Sequence, residues 1–307
     1  MAEQETIRVN SPKAWLLASR PKTLTGAAVP VMIGAALAWA DTSGHIRALL
    51  CVLCFLFAFI MQIDANFIND YFDFKKGNDD AATRLGPKRA CSMGWVTPRA
   101  MLWAIILTTI AGCVAGLPLV FFGGWKMVGV GLLCVIFSFL YTTKLSYLGL
   151  GDVLVLVFFG IVPVCMTYYL SLPAAQQTVT VEVLIASLAC GLVIDTLLLV
   201  NNYRDIDNDL RDGKLTLVVR VGRRNGQRLY LYAGILALAL GVVFAFYGHL
   251  LAMLLPVVPY ALLHIKAYRH LVSIDRGAAL NEVLGETARN MFVYGLLTAV
   301  GLLLPTL

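Results

Sequence analysis

Apolar runs of membrane-spanning length constrain this sequence more than any other feature. A transmembrane helix needs about 20 mostly apolar residues to cross a hydrocarbon core of roughly 30 Å, and the 307-residue chain contains nine such runs. Continuous runs favour helices, because a transmembrane barrel strand alternates apolar and polar residues. The sequence therefore predicts an all-α, polytopic membrane bundle of about nine transmembrane helices. The runs lie near residues 20–40, 46–69, 98–120, 125–142, 150–172, 181–202, 228–247, 249–270 and 288–306.

The composition excludes an ordinary soluble protein. Hydrophobic residues make up 59% and charged residues 14% of the chain, whereas soluble domains are about a quarter charged. We expect one transmembrane domain over residues 1–307, with loops near 74–97 and 204–227 that cap one face of the bundle. Seven cysteines are mostly scattered inside the apolar runs, so they predict buried thiols and not disulfides or a metal site.

The positive charges are strongly asymmetric across the predicted membrane. All but two of the 24 lysines and arginines fall on one side, and the exceptions are Arg47 and Lys126. Basic loops favour the cytoplasmic side, so we expect a bacterial cytoplasmic (inner) membrane protein whose acidic motifs face the cytoplasm. This asymmetry explains the net charge of +6, and no nucleic acid is needed as a partner.

An acidic motif ends the sixth apolar run. Asn201, Asp205 and Asp209 recur every four residues directly after the run 193–200. If the helix continues through Asp209, the three side chains share one face, with the two carboxylates one turn apart. A cation could bind between them.

A second copy of this motif ends the second apolar run. Asn66, Asp70 and Asp73 follow spacings of four and three, and therefore also share a helical face. Each copy is followed by a glycine and a basic loop. We interpret the chain as two pseudo-repeated four-helix halves, each of which brings one acidic helix end to a shared site.

The two motifs together indicate a magnesium site for a phosphorylated lipid. Two carboxylates about 4 Å apart repel by about 4 kcal/mol at an effective dielectric of 20, and divalent cations remove that conflict. Mg²⁺ prefers a few carboxylates plus substrate phosphates, while the asparagine amides can supply neutral oxygens. Arg204, Lys214 and the basic loops would neutralise the rest of the anion. A diphosphate head with a long apolar tail, a polyprenyl diphosphate, fits such a site at the membrane face.

Other polar residues near the predicted cytoplasmic mouth are open to two interpretations. Arg20 and Lys22 either set the topology or contact an anion. Tyr141, Lys144 and Asp152 either belong to the membrane interface or contact a second, aromatic substrate. Asp64 and Asp195 lie inside apolar runs but off the motif faces, and we expect them to be structural partners of other helices.

Three motifs carry a resemblance to a known family. The chain resembles the UbiA-type intramembrane aromatic prenyltransferases, and among them the 1,4-dihydroxy-2-naphthoate polyprenyltransferases of menaquinone synthesis. The motifs are Asn69-Asp70-Tyr71-Phe72-Asp73, residues 201–217 with Asn-Asn-x-Arg-Asp-x3-Asp-x3-Gly-Lys-x-Thr-Leu, and Ser19-Arg20-Pro21-Lys22-Thr23-Leu24.

The resemblance implies a nine-helix bundle, about two Mg²⁺ ions, and transfer of a polyprenyl chain to the naphthoate ring with loss of its carboxyl group, giving demethylmenaquinone. It implies catalytic roles for Asp70, Asp73, Asp205, Asp209 and Lys214. Metal ligands would be those four aspartates with Asn66 and Asn201. Diphosphate ligands would be Arg20, Lys22, Lys88, Arg89, Arg204 and Lys214, and the aromatic acceptor would contact Tyr141, Lys144 and Asp152.

Two alternatives remain at this point. An aromatic acceptor such as 4-hydroxybenzoate or homogentisate would suit the same donor chemistry. An ion-coupled transporter would also carry acids in its membrane helices. The acids of a transporter should run through the midplane to both faces, whereas these gather on one side.

Overall fold

The computed structural model describes residues 7–77 and 84–304. Within these ranges all regular structure is helical, which confirms the predicted all-α class. The α-helices are α1 (Pro12–Ser19), α2 (Leu24–Asp41), α3 (Ala48–Lys76), α4 (Pro98–Gly123), α5 (Lys126–Leu140), α6 (Gly151–Val155), α7 (Val162–Ser171), α8 (Val181–Arg204), α9 (Ile206–Arg211), α10 (Leu217–Val221), α11 (Arg223–Leu240), α12 (Val243–Phe246), α13 (Leu250–Ile274) and α14 (Leu280–Leu303). The π-helical segment Tyr141–Leu145 follows α5, and a short turn leads from it to α6. A second π-helical segment, Leu156–Ile161, joins α6 to α7 directly.

Eight helical segments of the described ranges are long and apolar enough to cross a membrane. They correspond in order to the first eight predicted runs. The ninth run falls in α14, which is 24 residues long but carries Glu282, Glu286 and Arg289 in its first half. Its last two predicted residues lie outside the described ranges. The eight segments are Pro12–Asp41, Ala48–Lys76, Pro98–Gly123, Lys126–Leu145, Gly151–Ser171, Val181–Arg204, Arg223–Phe246 and Leu250–Ile274.

Local sequence sets the ends of the long helices. Thr97 begins α4, and its hydroxyl accepts the Ala100 N–H at 3.3 Å. Thr180 begins α8 in the same way, accepting from Val183 at 3.3 Å. Such N-caps satisfy backbone donors that have no partner inside the helix. Gly77 ends α3 with a φ of 77°, a left-handed conformation that favours glycine.

Large apolar side chains cover the outside of the bundle. Trp103, Leu107, Phe121, Trp125 and Phe246 are each between 58% and 87% exposed. A soluble monomer rarely exposes contiguous apolar area of this kind. In a membrane these side chains contact lipid, which agrees with the span assignment.

Two glycines allow the second π-helical segment to pack closely on α8. A Cβ atom added at Gly160 would lie 2.7 Å from the Cα of Gly191 and 2.7 Å from the carbonyl oxygen of Ser187. No side chain fits between the two backbones. This contact fixes the position of α6, which immediately precedes the π-helical segment, relative to α8.

The buried Asp64 has a structural explanation. Its carboxylate accepts hydrogen bonds from the hydroxyls of Thr108 at 2.5 Å and Thr109 at 3.0 Å. Both threonines belong to α4, so the predicted role of Asp64 as a partner of another helix is confirmed. A carboxylate at membrane depth is tolerated when neighbouring helices supply such donors.

Candidate active site

The first acidic motif is held by the loop that follows α3. Asp70 is fully buried, and its two carboxylate oxygens accept the backbone N–H groups of Ala90 at 2.8 Å and Cys91 at 2.9 Å. Burial raises the pKa of the Cys91 thiol, and the neighbouring Asp70 carboxylate acts in the same direction. The part of the predicted cap near 74–97 that the structure describes is therefore folded onto α3. Residues 78–83 lie outside the described ranges.

Asp73 is half-buried one turn beyond Asp70. Arg89 donates to one of its oxygens at 3.3 Å. Electrostatic interactions also reach Asp73 from Lys214, Arg84 and Arg20. Since Lys214 follows the second motif and Arg20 precedes α2, residues far apart in sequence converge on this carboxylate.

The second acidic motif differs from its predicted form. The helix that was expected to continue through Asp209 is interrupted at Asp205, which has φ −94° and ψ 8° between α8 and α9. Backbone bonds nevertheless join Asp205 to Asn201 at 3.1 Å and Asp209 to Asp205 at 2.8 Å. The four-residue spacing is thus kept across the break.

Arg204 is buried and forms hydrogen bonds inside the protein. It is only 2% exposed, and it donates to both oxygens of Asp205, at 2.8 and 2.5 Å, and to the side-chain oxygen of Asn281 at 2.8 Å. A planar guanidinium fork suits this two-point contact with a carboxylate. These three contacts orient Asp205, and the role of Arg204 as a diphosphate ligand stays a prediction.

Asp209 and Lys214 form the last charged pair of the motif. Their side chains approach to 3.5 Å, and Asp209 Oδ2 is buried with no hydrogen-bond partner among the described residues. Burial raises the pKa of Asp209 to about 6, while the Lys214 ammonium opposes that change. A cation is the group that would satisfy this oxygen.

The loop after α3 closes the gap between the two motifs. The side chain of Asn281, at the start of α14, donates to the Leu85 carbonyl at 2.7 Å. Arg84 interacts electrostatically with Asp205 of one motif and Asp73 of the other, while burial lowers the pKa of Arg84 to about 10. The two motifs therefore share one charged site at one end of the bundle.

The remaining predicted phosphate ligands divide by exposure. Arg20 lies at the bend before α2 with a φ of 51°, and it lines the main cavity. Arg89 is buried beside Asp73. Lys22 and Lys88 are exposed at the surface. Arg20, Arg89 and Lys214 are therefore the predicted ligands that the structure places among the aspartates.

A cavity of about 340 Å³ extends from the charged site into the bundle. Its polar end is lined by Arg20, Asn66, Asn69 and Asn201. Along α3 the lining continues back to Cys54, which is about 22 Å from Asn69 at 1.5 Å per helical residue. Its deep lining is almost entirely apolar, as an isoprenoid tail requires. These deep residues include Val31, Phe57, Ala58, Met61, Leu119, Met127, Val130, Met166 and Leu170.

The three predicted acceptor residues lie in different surroundings. Tyr141 lines the cavity and also a smaller pocket that contains Asp152 and Lys214. Both carboxylate oxygens of Asp152 are buried without a hydrogen-bond partner among the described residues. Asp195 interacts electrostatically with Asp152. Lys144 is exposed and is among the lining residues of neither space, so its contact with an acceptor stays a prediction.

The two asparagines predicted beside the metal both line the cavity. The Asn66 amide donates to the Ser19 carbonyl at 3.0 Å and to the Thr23 hydroxyl at 2.9 Å, which ties α3 to the start of α2. Its side-chain oxygen accepts a hydrogen bond from the Gln62 amide at 3.4 Å. Asn201 lies half-buried at the end of α8.

Sequence reasoning missed three residues of this site. Asn69 lines the cavity and accepts from Thr142 at 2.7 Å, and its spacing of three from Asn66 and four from Asp73 could have revealed it. Arg84 was only one of several bases in a long loop. Asn281 lies about 80 residues beyond the motif that it supports, and no local pattern links the two.

Comparisons with known proteins show the family of this chain. A model of the UbiA prenyltransferase family matches residues 27–301. The chain belongs to this family. It is therefore a membrane transferase of the UbiA type, as the three motifs predicted.

Two relatives of this UbiA prenyltransferase are similar over nearly their whole length. The 1,4-dihydroxy-2-naphthoate octaprenyltransferase of Escherichia coli (strain K12) is 33% identical, covering 99% of this chain and 98% of the relative. The protein of the same description from Mycobacterium tuberculosis (strain ATCC 25618 / H37Rv) is 33% identical, covering 93% and 95%.

Solved structures share the fold of this UbiA prenyltransferase. The apo structure of a UbiA homolog from Aeropyrum pernix K1 matches with a TM-score of 0.67 and 15% identity, covering 92% of this chain and 97% of that one. A UbiA homolog from Archaeoglobus fulgidus bound to DMAPP and Mg²⁺ matches with a TM-score of 0.57 and 14% identity, covering 93% and 99%.

The residues of the charged site fit magnesium. Aspartate and asparagine side chains supply hard oxygen donors, which Mg²⁺ prefers. The oxygens of Asp70 and Asp205 already accept hydrogen bonds, but a carboxylate oxygen has a second lone pair. The buried, unpartnered oxygen of Asp209 adds a donor that a cation would satisfy.

Proposed function

We propose that this UbiA prenyltransferase transfers a polyprenyl chain from polyprenyl diphosphate to 1,4-dihydroxy-2-naphthoate, with loss of the ring carboxyl group, to give demethylmenaquinone. The observation that carries the proposal is the charged site at the mouth of a long apolar cavity. One end suits a diphosphate and the other an isoprenoid tail. The naphthoate acceptor is the one named in the descriptions of both relatives.

Metal would be held by Asp70, Asp73, Asp205 and Asp209, with Asn66 and Asn201 beside them. About two Mg²⁺ ions, when bound, would neutralise the charge that develops on the leaving diphosphate. Arg89 and Asn281 help to position these ligands. The guanidinium of Arg89 holds Asp73, and Asn281 holds Arg204, which in turn orients Asp205.

The cationic side chains bind the diphosphate in this proposal. Lys214, Arg20 and Arg89 all lie among the aspartates, while Lys22 and Lys88 lie at the surface. Cations positioned before the reaction stabilise the departing charge without reorganisation. Lys214 is the catalytic cation that the second motif contributes. It contacts Asp209 and also lines the small pocket with Asp152.

The apolar cavity protects the reactive carbon. When the C1–O bond of the donor breaks, diphosphate leaves with the electron pair and an allylic cation remains. Phe158, Phe159 and Leu198 line the cavity and exclude water from it. The ring carbon that bears the carboxylate then forms the new bond to C1, and the bond from that carbon to the carboxylate breaks, so that its electron pair restores the aromatic ring and CO₂ leaves.

Tyr141 and Asp152 are the acceptor contacts that we retain. Tyr141 lies between the cavity and the small pocket, next to the polar end of the donor site. The Asp152 carboxyl group has no partner among the described residues, so a ring hydroxyl could donate to it. The excess of bases on one side supports a site at the cytoplasmic face of the inner membrane.

An acceptor panel tests the proposal. The purified full-length chain, with Mg²⁺ and a labelled polyprenyl diphosphate, should convert 1,4-dihydroxy-2-naphthoate to a prenylated naphthoquinol with release of one CO₂ per turnover. The same assay is run with 4-hydroxybenzoate and homogentisate, and product masses identify each acceptor. Faster prenylation of either alternative would contradict the naphthoate assignment, and no prenyl product with any acceptor would contradict the transferase reaction itself.

A further inference from the structure

Three potential metal ligands meet at the end of the bundle opposite the aspartate site. Asp41 ends α2, Glu182 lies in the first turn of α8, and His249 directly precedes α13. One donor atom from each lies within 4.8 Å of the others. Arg204 is at the other end of α8, about 33 Å from Glu182 along the helix at 1.5 Å per residue. This cluster is therefore separate from the catalytic site.

The distances match the spacing between ligands of one small ion. Nε2 of His249 lies 3.5 Å from Oδ1 of Asp41 and 3.7 Å from Oε1 of Glu182. Both distances exceed the range of about 2.7–3.2 Å for a hydrogen bond to nitrogen. Ligands bound at about 2.0–2.2 Å to a tetrahedral zinc ion lie about 3.3–3.6 Å from one another. The two distances from the imidazole are thus close to the separation that a shared ion would impose, and one oxygen of each carboxylate lies within 4.8 Å of the other.

Glu182 supplies an independent reason to expect a cation. Its side chain is 1% exposed, and Oε1, the oxygen that faces His249, has no hydrogen-bond partner among the described residues. Its place in the first turn of α8 stabilises a negative charge only weakly. A buried carboxylate oxygen that accepts no hydrogen bond costs more than this, and His249 at 3.7 Å is too distant to donate one.

Asp41 is held in the orientation that such a site needs. The buried Tyr168 donates its hydroxyl to Oδ2 of Asp41 at 2.5 Å. This bond leaves Oδ1, the oxygen closest to His249, directed at the cluster. Hydrogen bonds from outside a metal site commonly fix its carboxylate ligands in this way.

We infer that Asp41, Glu182 and His249 form a second, structural site for a divalent transition-metal ion, with zinc as the best match. Two carboxylates and one imidazole are three protein ligands for zinc, and water can fill the fourth position. The imidazole nitrogen disfavours Mg²⁺ and Ca²⁺, which prefer oxygen donors. The ion would join the ends of α2 and α8 to the start of α13, far from the reacting atoms.

The competing arrangement is a protonated His249 between the two carboxylates without metal. The zinc content of the purified protein distinguishes the metal site from this metal-free ion pair. The full-length chain is purified in detergent, stripped with a chelator, and dialysed against zinc chloride in the presence of millimolar Mg²⁺ to occupy the aspartate site. We expect one more zinc per chain in the wild type than in Glu182→Gln or His249→Gln, by elemental analysis. Zinc should raise the melting temperature of the wild type but not of Glu182→Gln or His249→Gln.

Two further variants make the result specific. Tyr168→Phe keeps all three ligands but frees Asp41, and should weaken zinc binding about 10-fold or more. His45→Gln removes an exposed histidine of the turn after α2 and should leave zinc content unchanged. Equal zinc in the wild type, Glu182→Gln and His249→Gln would overturn the site. Prenyl transfer is not part of this measurement, so its result is independent of the proposed function.

Discussion

The four aspartates of the active site have different surroundings. Asp70 and Asp205 have both oxygens engaged by the protein, the first by backbone N–H groups and the second by Arg204. Asp73 and Asp209 each contact one basic side chain and retain an oxygen for other partners. The first pair therefore combines a structural and a metal-binding role, whereas the second pair is more fully available to ligand. The sequence motif alone does not distinguish them.

Amide substitutions should separate these roles. In Asp70→Asn the side-chain NH₂ would face a backbone N–H of the loop, and leaving a buried donor unsatisfied costs about 1–3 kcal/mol. We expect Asp70→Asn to lose both activity and thermal stability. Asp73→Asn should lose activity to a similar extent with an unchanged melting temperature. Equal melting temperatures for the two variants would contradict the structural role of Asp70.

Arg204→Lys tests whether this residue orients Asp205 or binds substrate. Lysine keeps the charge but cannot make the two-point contact, so the Mg²⁺ concentration needed for half-maximal rate should rise about 10-fold. The KM for prenyl diphosphate at saturating Mg²⁺ should stay near the wild-type value. Arg220→Lys, an exposed arginine that donates to the Leu148 carbonyl, is the control and should retain both constants. A rise confined to the KM of Arg204→Lys for prenyl diphosphate would instead support a role of Arg204 in diphosphate binding.

The helices themselves were largely predictable, and the contacts between them were not. Apolar length and three-to-four spacing are local properties, so they located eight spans and the acidic faces of α3 and α8. The engagement of Arg204 by Asn281, and of Asp70 by residues 90 and 91, depends on how distant segments pack. The break at Asp205 belongs to the same class. The Arg204 guanidinium beside the break contacts Asn281, 77 residues further along the chain, and the local sequence does not reveal that partner.

Close packing of the π-helical segment on α8 gives a prediction at this scale. In Gly160→Ala the new Cβ would approach backbone atoms of Gly191 and Ser187 at 2.7 Å, and backbone cannot move aside as a side chain can. Overpacking of this kind costs about 1–3 kcal/mol. We expect a lower melting temperature in detergent and reduced activity, because Asp152 adjoins this segment.

Gly129→Ala is the matched control for Gly160→Ala. Gly129 lies in α5, and a Cβ added there meets no atom within 4 Å. Alanine has the higher helix propensity, so the melting temperature should stay the same or rise slightly. A Gly160→Ala variant as stable as Gly129→Ala would show that the contact with α8 is not tight.

At the scale of the whole molecule, the two ends of the bundle have different chemistry. The aspartate end joins the two motifs through the loop after α3, and the opposite end joins α2, α8 and α13 through the Asp41, Glu182 and His249 cluster. Between them the cavity follows α3 and α5 into the membrane. The cluster was not predictable from sequence, because its members are separated by up to 208 positions and none belongs to a motif. The depth of the cavity, by contrast, limits the length of the prenyl donor, and that limit can be measured.

Gly131 offers a way to shorten the cavity without disturbing the fold. It lines the cavity on α5, and a Cβ added there meets nothing within 4 Å. It is ten residues from Tyr141, or about 15 Å along the helix. In Gly131→Leu the new side chain should block longer tails, so kcat/KM for an octaprenyl donor should fall about 10-fold or more, while a geranyl donor is used nearly as well as before. Gly129→Leu lies on the same helix outside the cavity lining and should accept both donors. If Gly131→Leu lowered both rates equally, the isoprenoid tail would not follow this cavity.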